Sequence, residues 1–142
     1  MKVDDIITDI VARNASYVAA LSTVGVPLVT ITAAMIYARE YRDPVGKVSV
    51  FLDPKAEEVE ELGPSYRIST LPVELTVFTT GATEAILREQ AGNYAQALLN
   101  CLVLNPYFFT VRGREDFEGV EGKPDIKATR LQIEFKYEEA VA

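Results

Sequence analysis

The sequence predicts an α+β fold: a mainly antiparallel sheet of about four to five strands packed against two helices, with long protruding loops. Three observations predict it. Leu131, Ile133, Phe135 and Tyr137 alternate strictly with Gln132, Glu134, Lys136 and Glu138, the signature of a half-buried strand. Val3, Ile6, Ile7, Ile10, Val11, Tyr17, Val18 and Leu21 recur at helical spacing, with only Asn14 out of type. Between these ends, residues 71–104 change period in mid-course. Leu71, Val73, Leu75 and Val77 alternate, and after Thr79-Thr80-Gly81 the spacing becomes that of a helix face, Leu87, Ala91, Tyr94, Leu98 and Cys101.

Taken in order, residues 3–23 read as the first helix, with Asp4 and Asp5 at the positive end of its dipole and Gly25 and Pro27 beyond its end. Twenty-five residues between Arg13 and Arg39 carry no charge. By length and hydropathy residues 17–38 could span a bilayer, but Gly25, Pro27 and four hydroxyl residues interrupt them. The preferred reading is a buried helix end, a core strand over 28–32 and a helical turn over 33–40. A third reading turns part of this apolar surface toward another subunit.

Residues 42–46 are turn chemistry, and 47–52 read as a strand with Val48, Val50 and Leu52 on one face. Asp53-Pro54 then opens an acidic segment read as a helix ending at Gly63-Pro64, with Glu57, Glu58, Glu60 and Glu61 as a solvated face. Those carboxylates lack the spaced glycine and carbonyl ligands of a calcium loop. The next strand, 66–79, has a parity slip between Ile68 and Leu71 and holds Pro72, so a bend, bulge or edge position is expected there. Thr80 and Thr83 offer hydroxyl caps to the helix over 83–104, and Gly92 within it marks the close approach of another backbone. Residues 107–111 read as a strand. Residues 112–129, with nine charged residues and little for a core, read as a long arm before the final strand over 130–138.

At 142 residues the chain suits one domain, 1–142, able to bury a core without metal or disulfides. A single cysteine and no cleavable leader point to a reducing cytosol. Fourteen basic against twenty-one acidic residues, net −7, repel a phosphate backbone. No histidine is present, which removes the commonest general base and metal ligand and every Ser-His or Cys-His pair. Cys101 sits on the apolar helix face and reads as a buried thiol; Thr79-Thr80-Gly81 has one glycine and no following lysine, so ordinary capping outweighs a phosphate cradle. No catalytic, cofactor-binding or metal-ligating set emerges.

The succession of an N-terminal helix, Val48-Ser49-Val50-Phe51-Leu52 ending in Asp53-Pro54, a charged excursion, Glu74-Leu75-Thr76-Val77-Phe78, a helix containing Asn93-Tyr94-Ala95-Gln96-Ala97-Leu98-Leu99, and the strand Arg130 to Glu138 resembles tail terminator and related tail-completion or neck (head-tail joining) proteins of long-tailed bacteriophages. The resemblance spans residues 48–139. It implies a non-enzymatic virion protein without cofactors, made in the host cytoplasm and placed at the tail and neck. Such a protein forms a homo-oligomeric ring, usually of six, that ends the tail tube and joins the head connector or stopper, while DNA passes through without specific binding. By the same resemblance, segments 57–65 and 112–129 contact neighbours, with Glu57, Glu58, Glu60, Glu61, Arg112, Arg114, Glu115, Asp116 and Phe117 as the interface residues. Alternatives from other classes are another neck or baseplate assembly protein, a small membrane-associated protein, and a histidine-independent enzyme with convergent acids such as Glu74 and Glu134.

Overall fold

Helix α1 (Val3–Leu21) forms where the apolar stripe predicts it, and α2 (Glu84–Cys101) follows the period change. The computed structural model describes residues 3–39, 46–102, 108–117 and 125–140. Six strands lie between and after the helices: β1 (Ile36–Tyr37), β2 (Val48–Pro54), β3 (Glu58–Glu61), β4 (Tyr66–Thr80), β5 (Phe108–Phe117) and β6 (Ile126–Ala140). They form one sheet in the order β1-β2-β4-β6-β5, with β3 paired to the other half of the β4 flank that β2 occupies. Every pairing is antiparallel except β1 with β2. The α+β class and the mainly antiparallel sheet are as the sequence predicts, with six strands rather than four to five.

The centre of the sheet is the pair β4–β6, matched without interruption from Tyr66↔Ala140 to Thr80↔Ile126. Its odd-numbered residues face the helices. Leu71, Val73, Leu75 and Val77 of β4 and Leu131, Ile133, Phe135 and Tyr137 of β6 join Ile6, Ile10, Tyr94 and Leu98 in one buried cluster. Burying each large apolar side chain contributes about 1.5–3 kcal/mol, so this layer dominates the stability of the fold. Helix α2 lies directly on β4 and β6, and α1 packs alongside α2. Among the described residues, the other face of the sheet carries no helix. At one end of it Phe51, Phe78, Ile126 and Ala128 form a second buried cluster covered by Tyr37 and Phe117.

Several expectations are corrected. The acidic segment is not a helix: Glu58–Glu61 pairs with Arg67–Thr70 as a hairpin strand, closed through Leu62 N–H donating to Tyr66 O at 3.0 Å. Gly63, at φ +145°, takes the turn conformation that a β-carbon disfavours. Of the bend, bulge or edge position expected at Pro72, the structure has the last: the ladder to β6 runs on without a bulge, while on its other flank Pro72 lies in the gap where neither β2 nor β3 pairs. Pro72 O accepts from Lys55 N–H at 2.8 Å, so its backbone polar edge points toward the β2–β3 flank, where pairing breaks between Pro54 and Glu58. The donor that proline lacks would have fallen in that break, so the ladder to β6 continues past it. The parity slip is the passage of Ile68 to the helix-free face, where it is half-buried.

The expected arm is largely strand. β5 runs on to Phe117 and β6 begins at Ile126, where Ile126, Lys127, Ala128 and Thr129 are all buried. A bulge does occur, but between Val111 and Gly113 in β5. Residues 118–124 of the arm lie outside the described residues, as do Tyr107, the turn over 42–45 and the 103–104 end of the predicted second helix.

The uncharged stretch holds no strand over 28–32. Instead, side chains of the two helices bond its backbone. Asn14, fully buried, accepts from Ile31 N–H at 2.8 Å and donates to Ile31 O at 2.9 Å. Tyr94 Oη accepts from Val29 N–H at 2.8 Å, and Gln90 Nε2 donates to Pro27 O at 2.7 Å. The one off-type residue of the α1 stripe thus pins the apolar segment as a sheet neighbour would have done. A single 3-10 turn, Ala33–Met35, stands where a helical turn was expected, and it leads into β1. No helix among the described residues is long and apolar enough to cross a membrane.

Candidate functional site

The helix-free face of the sheet and its two edges carry the residues that the sequence singled out. Even-numbered positions of β4 and β6 put Glu74, Gln132 and Glu134 on this face, and Asp53, Lys55 and Arg112 reach it from β2, its extension and β5. Lys55 Nζ lies 2.6 Å from Asp53 and 3.8 Å from Glu74, and Arg112 Nε lies 3.1 Å from Glu134. Arg130 pairs with Glu115 and stands 5.3 Å over the Phe117 ring. Beyond it the aromatic end continues through Phe78, Phe51 and Tyr37 to Arg39, whose guanidinium lies 5.0 Å over Tyr37. The face grades from a ladder of ion pairs into a buried apolar cluster.

The enzyme alternative expects a deep pocket with Glu74 and Glu134 converging. Both line a depression of about 200 Å³, together with Lys55, Arg112 and Gln132. Glu134 faces Arg112, and Glu74 faces Lys55, which it shares with the nearer Asp53. As exposed or half-exposed pairs, these contacts contribute up to ~1 kcal/mol each. Among the described residues no three acidic or cysteine side chains gather as a metal site.

The expected interface residues divide between opposite edges. Glu58, Glu60 and Glu61 lie exposed on β3, and Glu57 precedes it, accepting from Tyr137 Oη. Arg112, Arg114, Glu115, Asp116 and Phe117 lie on β5. Two strands, β4 and β6, separate the groups, so they do not meet within one chain. The β5 side chains fold back onto their own subunit: Arg114 lies 3.6 Å from Asp116, and Thr129 Oγ1 donates to Asp116 at 2.7 Å. The close approach expected at Gly92 is to a side chain, not to backbone. A β-carbon there would stand 3.0 Å from the Arg114 guanidinium.

The β4–α2 corner is held by a pair that the sequence reading missed. Lys127, buried to 1 % exposure, reaches Glu84 in the first turn of α2 at 3.1 Å. The hydrogen bond and charge of Lys127 hold the Glu84 carboxyl below its ordinary 4.5. The expected hydroxyl caps do not form. Thr83 occupies the cap position without a side-chain bond, while Thr80 donates to Gly46 O and Thr79 to Leu87 O, both at 2.8 Å. Cys101 is buried as expected, and desolvation pushes its thiol up to about 11.

Neither a protein-family model nor a curated protein matches the sequence. Among solved structures, the fold is similar to that of a chain in the "Virion of native gene transfer agent (GTA) particle", with a TM-score of 0.54 and 16% sequence identity. The match covers 94% of this chain and 92% of that one, so the likeness is of the whole architecture and shows a shared fold.

Proposed function

We propose that this chain is a non-enzymatic structural subunit of a phage-like virion. In this reading it assembles with its own copies into a ring, usually of six, at the end of the tail tube, stops tube growth there, and joins the tail to the head connector or stopper. The observation that carries the virion role is the near end-to-end fold likeness to a chain of a gene transfer agent virion. The resemblance of residues 48–139 to tail terminator and neck proteins carries the finer placement. Three features of the chain support assembly over catalysis. The sheet has a helix-free face, its flanking strands β3 and β5 are charged and exposed, and the candidate acids sit in ion pairs. A net charge of −7 suits a ring through which DNA slides without specific binding.

Immunogold labelling of purified particles from the source tests this. The reading expects label at the head-proximal end of the tail, and loss of the gene should leave heads and tails unjoined. Particles that form normally without the protein would overturn it.

A further inference from the structure

The two flanking strands fit one another across a subunit boundary. β3 is antiparallel to β4, β4 to β6 and β6 to β5, so β3 and β5 run in opposite directions. Among the described residues, neither pairs with a strand on its outer side. We propose that β3 of one copy adds to the β5 edge of the next, in the antiparallel register that sets Val59 opposite Val111 and Glu58 opposite Arg112. The proposal rests on the self-assembly reading above and names the surface through which it occurs.

Strand polarity is the first support. A copy displaced sideways brings its β3 beside β5 with the alternation of directions unbroken, which makes a head-to-tail contact able to close into a ring. The faces agree as well. Val59 pairs with Ser69 and Val111 with Ile133, both on the helix side of the sheet, whereas Glu58 pairs with Thr70 and Arg112 bonds Glu134 on the other side. Val59 and Val111 are 52% and 40% exposed in the single chain, so the contact would cover apolar surface while setting a carboxylate beside a guanidinium.

Closure geometry favours this register. Val59 lies level with Ser69 of its own β4, and Val111 lies level with Val73, through Ile133. Each added copy therefore steps four residues along the strands across a width of four strands, β3-β4-β6-β5. With a rise of about 3.3 Å per residue and about 4.8 Å between strands, the strands tilt by roughly 35° whatever the number of copies, as closed sheets require. The other parity-preserving register, Val59 opposite Phe109, gives only about 20°.

Rival pairings are disfavoured. β3 against β3 would oppose Glu58, Glu60 and Glu61 to like charges. The second half of β5, with its bulge and four charged residues, is a blunted edge, which leaves residues 108–111 as the uncharged length for strand addition.

Two single substitutions, Val59→Cys and Val111→Cys, test the register. Paired positions in an antiparallel ladder have α-carbons about 4.5–5.5 Å apart, within disulfide range. Native Cys101 is buried. Oxidising an equal mixture should give a linked dimer that neither variant gives alone, and a chain with both changes should give a ladder. Light scattering on the same samples, with and without tail-tube protein, separates the two ideas. Multimers without a 59–111 link overturn this interface and leave self-assembly standing, whereas a lone subunit at every concentration, tube protein present or absent, overturns both. Glu58→Arg should weaken association on the order of tenfold, and adding Arg112→Glu should restore it. If circular dichroism shows both variants folded and the double change restores nothing, the register is wrong.

Discussion

Asn14 shows how one polar side chain can organise an apolar segment. Both hydrogen-bonding groups of Ile31 are answered by its amide, and Ile10 O accepts from the same nitrogen at 2.7 Å. Asn14→Ala would leave the buried Ile31 N–H and C=O without these partners, and urea denaturation should find a loss of about 2–4 kcal/mol. A change below about 0.5 kcal/mol would contradict this role. In the sequence, Asn14 stood out as the misfit in an apolar stripe. What it bonds, seventeen residues on, has no local signal.

The Lys127–Glu84 pair belongs to the same scale. A carboxyl whose folded pKa is depressed adds stability above its unfolded pKa and loses it as pH falls through the folded value. The stabilisation linked to Glu84 is thus essentially whole at neutral pH and fades as pH drops below its ordinary 4.5. Denaturation midpoints measured from pH 7 to pH 3 should fall less steeply for Glu84→Gln than for the parent chain. Superimposable profiles would remove the pair from the account. Along the sequence Lys127 belongs to a charged arm, because charge density along the chain says nothing of the strand opposite. Its register with Thr79 carries it under α2.

At the scale of elements, long periodic segments were legible and short edge segments were not. The alternation of β6 and the period change from β4 to α2 specify burial along ten or more residues, and local chemistry cannot reverse them. The acidic stretch 57–61 has a single apolar residue, Val59, so its conformation is set by the neighbouring strand rather than by its own pattern. Hence an expected helix became β3. Pro72 is the reverse case, a local breaker without effect because its missing donor falls at the break between β2 and β3. Pro72→Val should therefore change stability by less than about 1 kcal/mol in thermal denaturation. Leu75→Pro, at a fully buried position paired on both sides, should cost about 3 kcal/mol or more. Comparable losses at the two sites would refute the placement of Pro72.

For the whole molecule, class and layer order were readable because apolar periodicity records which faces are covered. The candidate interface was readable only as charge. Nothing in the order of residues says that Glu57 to Glu61 and Arg112 to Phe117 end up on opposite edges, too far apart to pair within one chain. In the proposed assembly that separation lets the two edges meet between copies: one edge is rich in carboxylates, the other presents an uncharged length beside Arg112. A helix-free sheet face flanked by two unlike edges supports the proposal that each subunit is continued by its neighbour.

Sedimentation velocity of the purified chain, with and without tail-tube protein, tests this most directly. The account predicts a discrete closed species whose mass is a small multiple of 15.7 kDa, six copies being the expected number. A single 15.7 kDa species at all concentrations, unchanged when tube protein is added, would contradict it.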